Sequence, residues 1–117
     1  MLRKLNLSGH ENAQLKQLGF EFPGVLHVDL ADPQTPEKIT SFLVKLGITS
    51  EDKVTVALPG LAPLAAIVVA ALHGLTGNFP DVQLMVKSES GFVPGLTLSL
   101  DEVRSNARAN RPGTIAL

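Results

Sequence analysis

Apolar and polar residues alternate at the start of the chain: Leu5 and Leu7 point one way, Lys4 and Asn6 the other. That period of two predicts a strand over Leu2–Leu7, stopped by Ser8-Gly9-His10. From Glu11 to Leu18 the pattern becomes that of a short helix, with Ala13, Leu15 and Leu18 on neighbouring faces and Gly19 at its end. After the Pro23-Gly24 turn, Val25–Leu30 predicts a second strand. Thr35 then fits an N-cap, Pro36 a first helical position and Glu37 the positive end of the helix dipole. Ile39, Phe42, Leu43 and Leu46 recur at helical spacing until Gly47 closes the helix.

Val54–Leu58 is almost wholly apolar, as a central parallel strand covered on both faces should be. Pro59-Gly60 turns the chain into a helix over Leu61–Leu75. Val82–Val86 predicts a fourth strand and Ser88–Gly91 a polar loop. Pro94-Gly95 splits the next run, leaving Leu96–Leu100 as a short edge strand. Asp101–Arg111 is a final amphipathic helix with Val103 and Ala107 on one side, and residues 110–117 read as a loose tail. Strands and helices alternate throughout. The expected fold is one α/β domain over residues 1–117, a three-layer sandwich around a mainly parallel sheet of four to five strands. With a strand order of 2-1-3-4, the loops after the first and third strands would flank the point where strand order reverses, the usual ligand position in such sheets.

Composition narrows the function classes. The 117 residues are 44% apolar and 18% charged, enough to build a core. There is no cysteine, which excludes disulfides and thiolate chemistry and agrees with a reducing cytoplasm. A net charge of −1 argues against duplex nucleic acid as a partner, and five Phe without Trp or Tyr make a poor base-stacking platform. Met1-Leu2-Arg3-Lys4 is basic, but polar residues follow, so no secretory signal develops. The stretch from Val54 to Pro80 carries no formal charge, yet Pro59, Gly60 and Pro63 break it, so no membrane span is expected.

Two loops are candidates for chemistry. In Ser8-Gly9-His10, glycine permits close backbone approach, serine offers a hydroxyl and histidine a titratable ring. The same tripeptide also suits a plain strand-to-helix turn. In Pro59-Gly60-Leu61-Ala62-Pro63 the glycine exposes backbone, and Pro63 fits the first helical turn. Neither loop is a Walker loop or a dinucleotide fingerprint. Lys87 and Ser88, at the end of the fourth strand, are further candidates. His27 and His73 read as structural, Glu51-Asp52 as solvated, and Asp29 as a strand residue without a partner. The three histidines show no metal-ligand spacing, and no metal or cofactor is expected. The helix from Leu61 to Leu75 is apolar all round, more than one sheet face can bury, so a homodimer covering Ile67 or Val68 is expected, the final helix or tail being the other cover.

Ser8-Gly9-His10 after a first strand, LPGLAPLAAIVVAALHGLTGNFP from Leu58 to Pro80, and LDEVRSNARANR from Leu100 together resemble the Csx-fifteen family, small CRISPR-associated ancillary proteins of type III systems. The likeness runs from Leu5 to Arg111. It implies a Rossmann-like, dimeric, cytoplasmic protein that binds a cyclic oligoadenylate, cyclic tetra-adenylate above all, and sequesters it to damp antiviral signalling. Similar small proteins cleave the messenger, so a metal-independent ring nuclease is the alternative. The ligand-binding set would be Ser8, Gly9, His10, Pro59, Gly60, Leu61, Ala62, Pro63, Lys87 and Ser88, with further assembly of dimers on ligand. Glu11-Asn12 stand where the family pattern has proline and an apolar residue. A carboxylate there opposes a phosphate, which points the first loop toward adenine or ribose.

Overall fold

A computed structural model describes residues 1–113. Eight elements follow in order: β1 (Leu2–Asn6), α1 (Ala13–Gln17), α2 (Thr35–Lys45), β2 (Lys53–Ala57), α3 (Ala62–Thr76), β3 (Asp81–Ser88), β4 (Gly91–Ser99) and α4 (Leu100–Ala109). The strands form one mixed α/β sheet in the order β1-β2-β3-β4. β1, β2 and β3 run parallel, and β4 pairs antiparallel with β3.

Side-chain alternation assigns the two faces. Leu5, Val54, Val56 and Val82 meet Ile39 and Leu43 of α2 and Leu64, Val68 and Leu72 of α3 in the main core. Each fully buried side chain of this size contributes about 1.5–3 kcal/mol. On the other face Ala57 and Met85 pack with Leu15 of α1 and Phe20 in a smaller cluster. Cover is therefore unequal: two long helices on one face, one five-residue helix on the other.

Val25–Leu30 is not a strand. Leu26 and Val28 pack on the main core while Val25, His27 and Asp29 stay exposed, so the alternation is real. Among the described residues, however, the only pairing with the outer edge of β1 is one bridge, Leu5 to Glu21. Two hydrogen bonds of 2.8 Å close it, Asn6 N–H to Glu21 C=O and Glu21 N–H to Lys4 C=O, before the chain turns away at Pro23-Gly24. An unpaired extended segment has the same period as a strand. Without it the sheet grows in one direction only, and the expected reversal of strand order does not exist.

Smaller corrections have local causes. Gln34, not Thr35, is the N-cap of α2. Thr35 lies one residue inside the helix, buried, with its hydroxyl donating to Asp29 C=O. Asp29 Oδ1 accepts Ala31 N–H at 2.9 Å, a turn rather than a strand position. Asp52 is buried, not solvated, because its carboxylate accepts Thr49 N–H at 2.9 Å. β4 runs through Pro94-Gly95 instead of starting after it. Pro94 needs no second ladder there because β4 is an edge, and the register slips near Gln83, whose Nε2 donates to Leu84 C=O and Gly95 C=O at 3.0 Å each.

Beyond β2 the molecule changes character. Val56 pairs with Val82, so β3 from Leu84 to Ser88 overhangs the carboxyl end of β2 by roughly 15 Å, carrying the start of β4 with it. α4 leaves the end of β4 with no buried residue. The radius of gyration is 15.5 Å, above the roughly 13 Å of a compact chain of this length. Among the described residues no helix is long and apolar enough to cross a membrane.

Candidate functional site

The structure brings the first two candidate loops together. β1 and β2 are hydrogen-bonded neighbours with Asn6 level with Ala57, and Leu7 N–H extends the ladder to Ala57 C=O at 2.9 Å. Ser8-Gly9-His10 and Pro59-Gly60-Leu61 therefore leave the sheet side by side at its carboxyl edge. Gly9 has φ +86°, a left-handed conformation that opposes any side chain. Gly60 has no such constraint, and a Cβ there would meet open space, so this glycine lies accessible on the surface.

The first loop is organised from below by a residue that sequence reasoning passed over. Asn6 is buried beneath it. Its amide donates to His10 C=O at 2.9 Å, and its Oδ1 accepts from Ser8 N–H at 3.1 Å and Ser8 Oγ at 2.6 Å. The Ser8 hydroxyl is thus held inside the turn. His10 is exposed, and its imidazole has no hydrogen bond among the described residues. The Asn-x-Ser-Gly order, with asparagine two residues before serine, was the readable signal for such a turn.

The second loop feeds α3. Leu61 is the N-cap, with backbone φ −89° and ψ 117°, Ala62 and Pro63 open the first turn, and no side chain bonds to the free amides. A 15-residue helix thus directs an uncapped, partly positive end at the carboxyl edge. Pro59 is buried; Gly60, Leu61, Ala62 and Pro63 are exposed.

Lys87 and Ser88 lie on the overhanging hairpin. Ser88 Oγ donates to Gly91 C=O at 2.8 Å and closes the hairpin turn. Lys87 is exposed opposite Phe92. Asn12, the N-cap of α1, connects hairpin to first loop: its Oδ1 accepts Gln14 N–H and Leu15 N–H at 3.0 Å, while its Nδ2 donates to Phe92 C=O at 3.0 Å. Beside β1, on the α1 side, lies a cleft of about 510 Å³ lined by Asn6, Glu11, Asn12, Lys16, Phe20 and Phe22.

The remaining singled-out groups lie elsewhere. His73 stacks on Phe79 with ring centroids 4.2 Å apart, and His27 is exposed on the unpaired segment. Among the described residues no three His, Asp or Glu side chains come together to hold a metal ion. On α3, Val68 is fully buried against the sheet and Ile67 packs on the core. Val68 therefore cannot face a partner as expected, whereas Ile67 keeps part of its surface outside, and the mid-helix residues left exposed are Ala66 and Ala70. No family model, curated protein or solved structure matches this chain.

Proposed function

We propose that the chain binds a cyclic oligoadenylate, cyclic tetra-adenylate above all, at the carboxyl edge of β1 and β2 and sequesters it, damping type III CRISPR signalling in the cytoplasm. The observation that carries this reading is the side-by-side exit of the two glycine loops, the second of which leads into the uncapped start of α3. A phosphodiester oxygen fits there: the helix end supplies partial positive charge, and no side-chain oxygen competes for its amides. Gly60 leaves the backbone open to approach. The Rossmann-like resemblance enters in this respect only, the carboxyl edge of parallel strands being where such folds take their ligands.

The adenine falls to the α1 side. Glu11 would repel a phosphate but accepts a hydrogen bond from an exocyclic amine, and the neighbouring cleft offers Phe20 and Phe22 as apolar walls. Lys87 on the overhanging hairpin adds an exposed positive charge. A two-fold ring meets matching loops on a two-fold homodimer, and ligand bridging between dimers follows the same logic. Binding is preferred to cleavage because the Ser8 hydroxyl is engaged by Asn6 and, among the described residues, the His10 imidazole has no side-chain partner to orient it as a base.

Incubation with labelled cyclic tetra-adenylate tests the proposal. Retention without product is the expected result. Linear product replaces sequestration with ring nuclease activity, and neither retention nor product overturns both.

A further inference from the structure

α4 is the least supported element of the molecule. None of its residues is buried, and Val103 at its middle is 57% exposed. A ten-residue helix anchored to the core only through Leu100, with nothing among the described residues burying Val103, is marginal in water. Its surroundings are equally bare. β4 is an open edge without a charged residue, and Leu96 on it is 74% exposed. Between α3 and β4 runs a groove of about 460 Å³ lined by Ala66, Val69, Ala70, Phe79, Leu98 and Leu100. Since α4 begins at Leu100, groove, edge and helix stripe form one continuous apolar surface.

The charges on α4 select what covers it. Leu100, Val103 and Ala107 make the apolar stripe. Asp101, Arg104 and Arg108, at the same spacing of three and four, make the flank beside it. That flank is negative at its start and positive at its end, and among the described residues none of its three groups forms an ion pair.

We propose that the occupant is a second copy of this chain, its α4 lying antiparallel on this one about a two-fold axis. Antiparallel apposition sets Asp101 of each helix beside Arg108 of the other, while Arg104 at the centre stays within reach of its own Asp101. A parallel arrangement would set like against like. A wholly acidic or wholly basic partner would satisfy one end and repel the other, whereas an isologous contact satisfies both at once. The helix is about 15 Å long, so the Ala107 end of each reaches over the partner's helix start, where the partner's groove opens. The contact needs no ligand, so it stands or falls apart from the messenger reading.

Sedimentation velocity on the full chain without ligand tests it. The wild type should be a dimer with Kd of roughly 10 μM or tighter. Val103→Asp should raise Kd about 100-fold, because a charge enters an apolar contact, without lowering the stability of the monomer core, because Val103 is exposed in the monomer. Arg108→Glu should weaken the dimer about five-fold, and adding Asp101→Lys, which restores opposite charges across the axis, should recover it. If Val103→Asp does not fold, the charge pair decides alone. A wild type still monomeric at roughly 100 μM overturns the proposal. So does a dimer that Val103→Asp leaves intact, or a double variant weaker than Arg108→Glu alone.

Discussion

Val68 of α3 has no contact with solvent, whereas Val103 of α4 has solvent over more than half its surface, although both are valines near the middle of a helix. The difference extends to the regions around them. The half built from β1, β2, α2 and α3 closes most of its apolar residues into one core, leaving Leu2, Val44 and Leu61 exposed. The arm built from the overhanging hairpin and α4 leaves Phe92, Leu96, Leu98 and Val103 outside. Stability therefore resides in the first region, and the second is the surface proposed for association. The carboxyl-edge site lies at their junction, where Asn12 ties the hairpin to the first loop.

Truncation at matched positions should break this contrast if it is mistaken. Leu72→Ala, in the closed half, should cost about 2–5 kcal/mol in chemical denaturation. Leu96→Ala, on the arm, should change the stability of the monomer by less than about 0.5 kcal/mol. Equal costs would mean that the arm is packed after all. The two site glycines sharpen the picture at a smaller scale. Gly9→Ala forces a side chain into φ +86° and should cost about 1–2 kcal/mol, whereas Gly60→Ala should be nearly neutral in the same assay.

Asn12→Ala should destabilise the fold by about 1 kcal/mol through loss of the α1 cap. Its sharper signature is local: faster amide exchange in the hairpin around Phe92, with protection in β1 and β2 unchanged. The smallest effect is electrostatic. The Lys38 ammonium holds the Asp32 carboxyl below its ordinary range, and Gln34 N–H adds to this. The stabilisation is then fully present above about pH 4, the unfolded value, and is lost as pH falls through the lower folded value. Asp32→Asn should therefore lower the melting temperature slightly at neutral pH and not at all in strong acid, the pair being exposed.

The closed half was legible from sequence because its signals are local. The apolar run Val54–Leu58, the Pro59-Gly60 break and Pro63 in the first helical turn fix β2 and α3 almost to the residue. What sequence could not supply was pairing. Leu26 and Val28 alternate inward as strand residues do, but period two reports an extended backbone with one covered side and says nothing of a neighbouring ladder. Asn6 was assigned correctly to the face opposite Leu5, yet that face is not solvent at its end, since α1 and the first loop cover it. The arm was misjudged for a related reason. Pro94-Gly95 looks like a strand break until β4 is known to be an edge with Gln83 filling the slip in register.

Titration calorimetry of cyclic tetra-adenylate into the wild type and Gly60→Val tests the central claim most directly. Gly60 lies in the second loop, exposed and free of backbone strain, so valine there should leave folding intact while obstructing close approach of a phosphate to the backbone. The account predicts saturable binding by the wild type and loss of affinity by about ten-fold or more in the variant, with melting temperatures alike. No heat from the wild type, or equal affinity for both proteins, would contradict a ligand site at the carboxyl edge of β1 and β2.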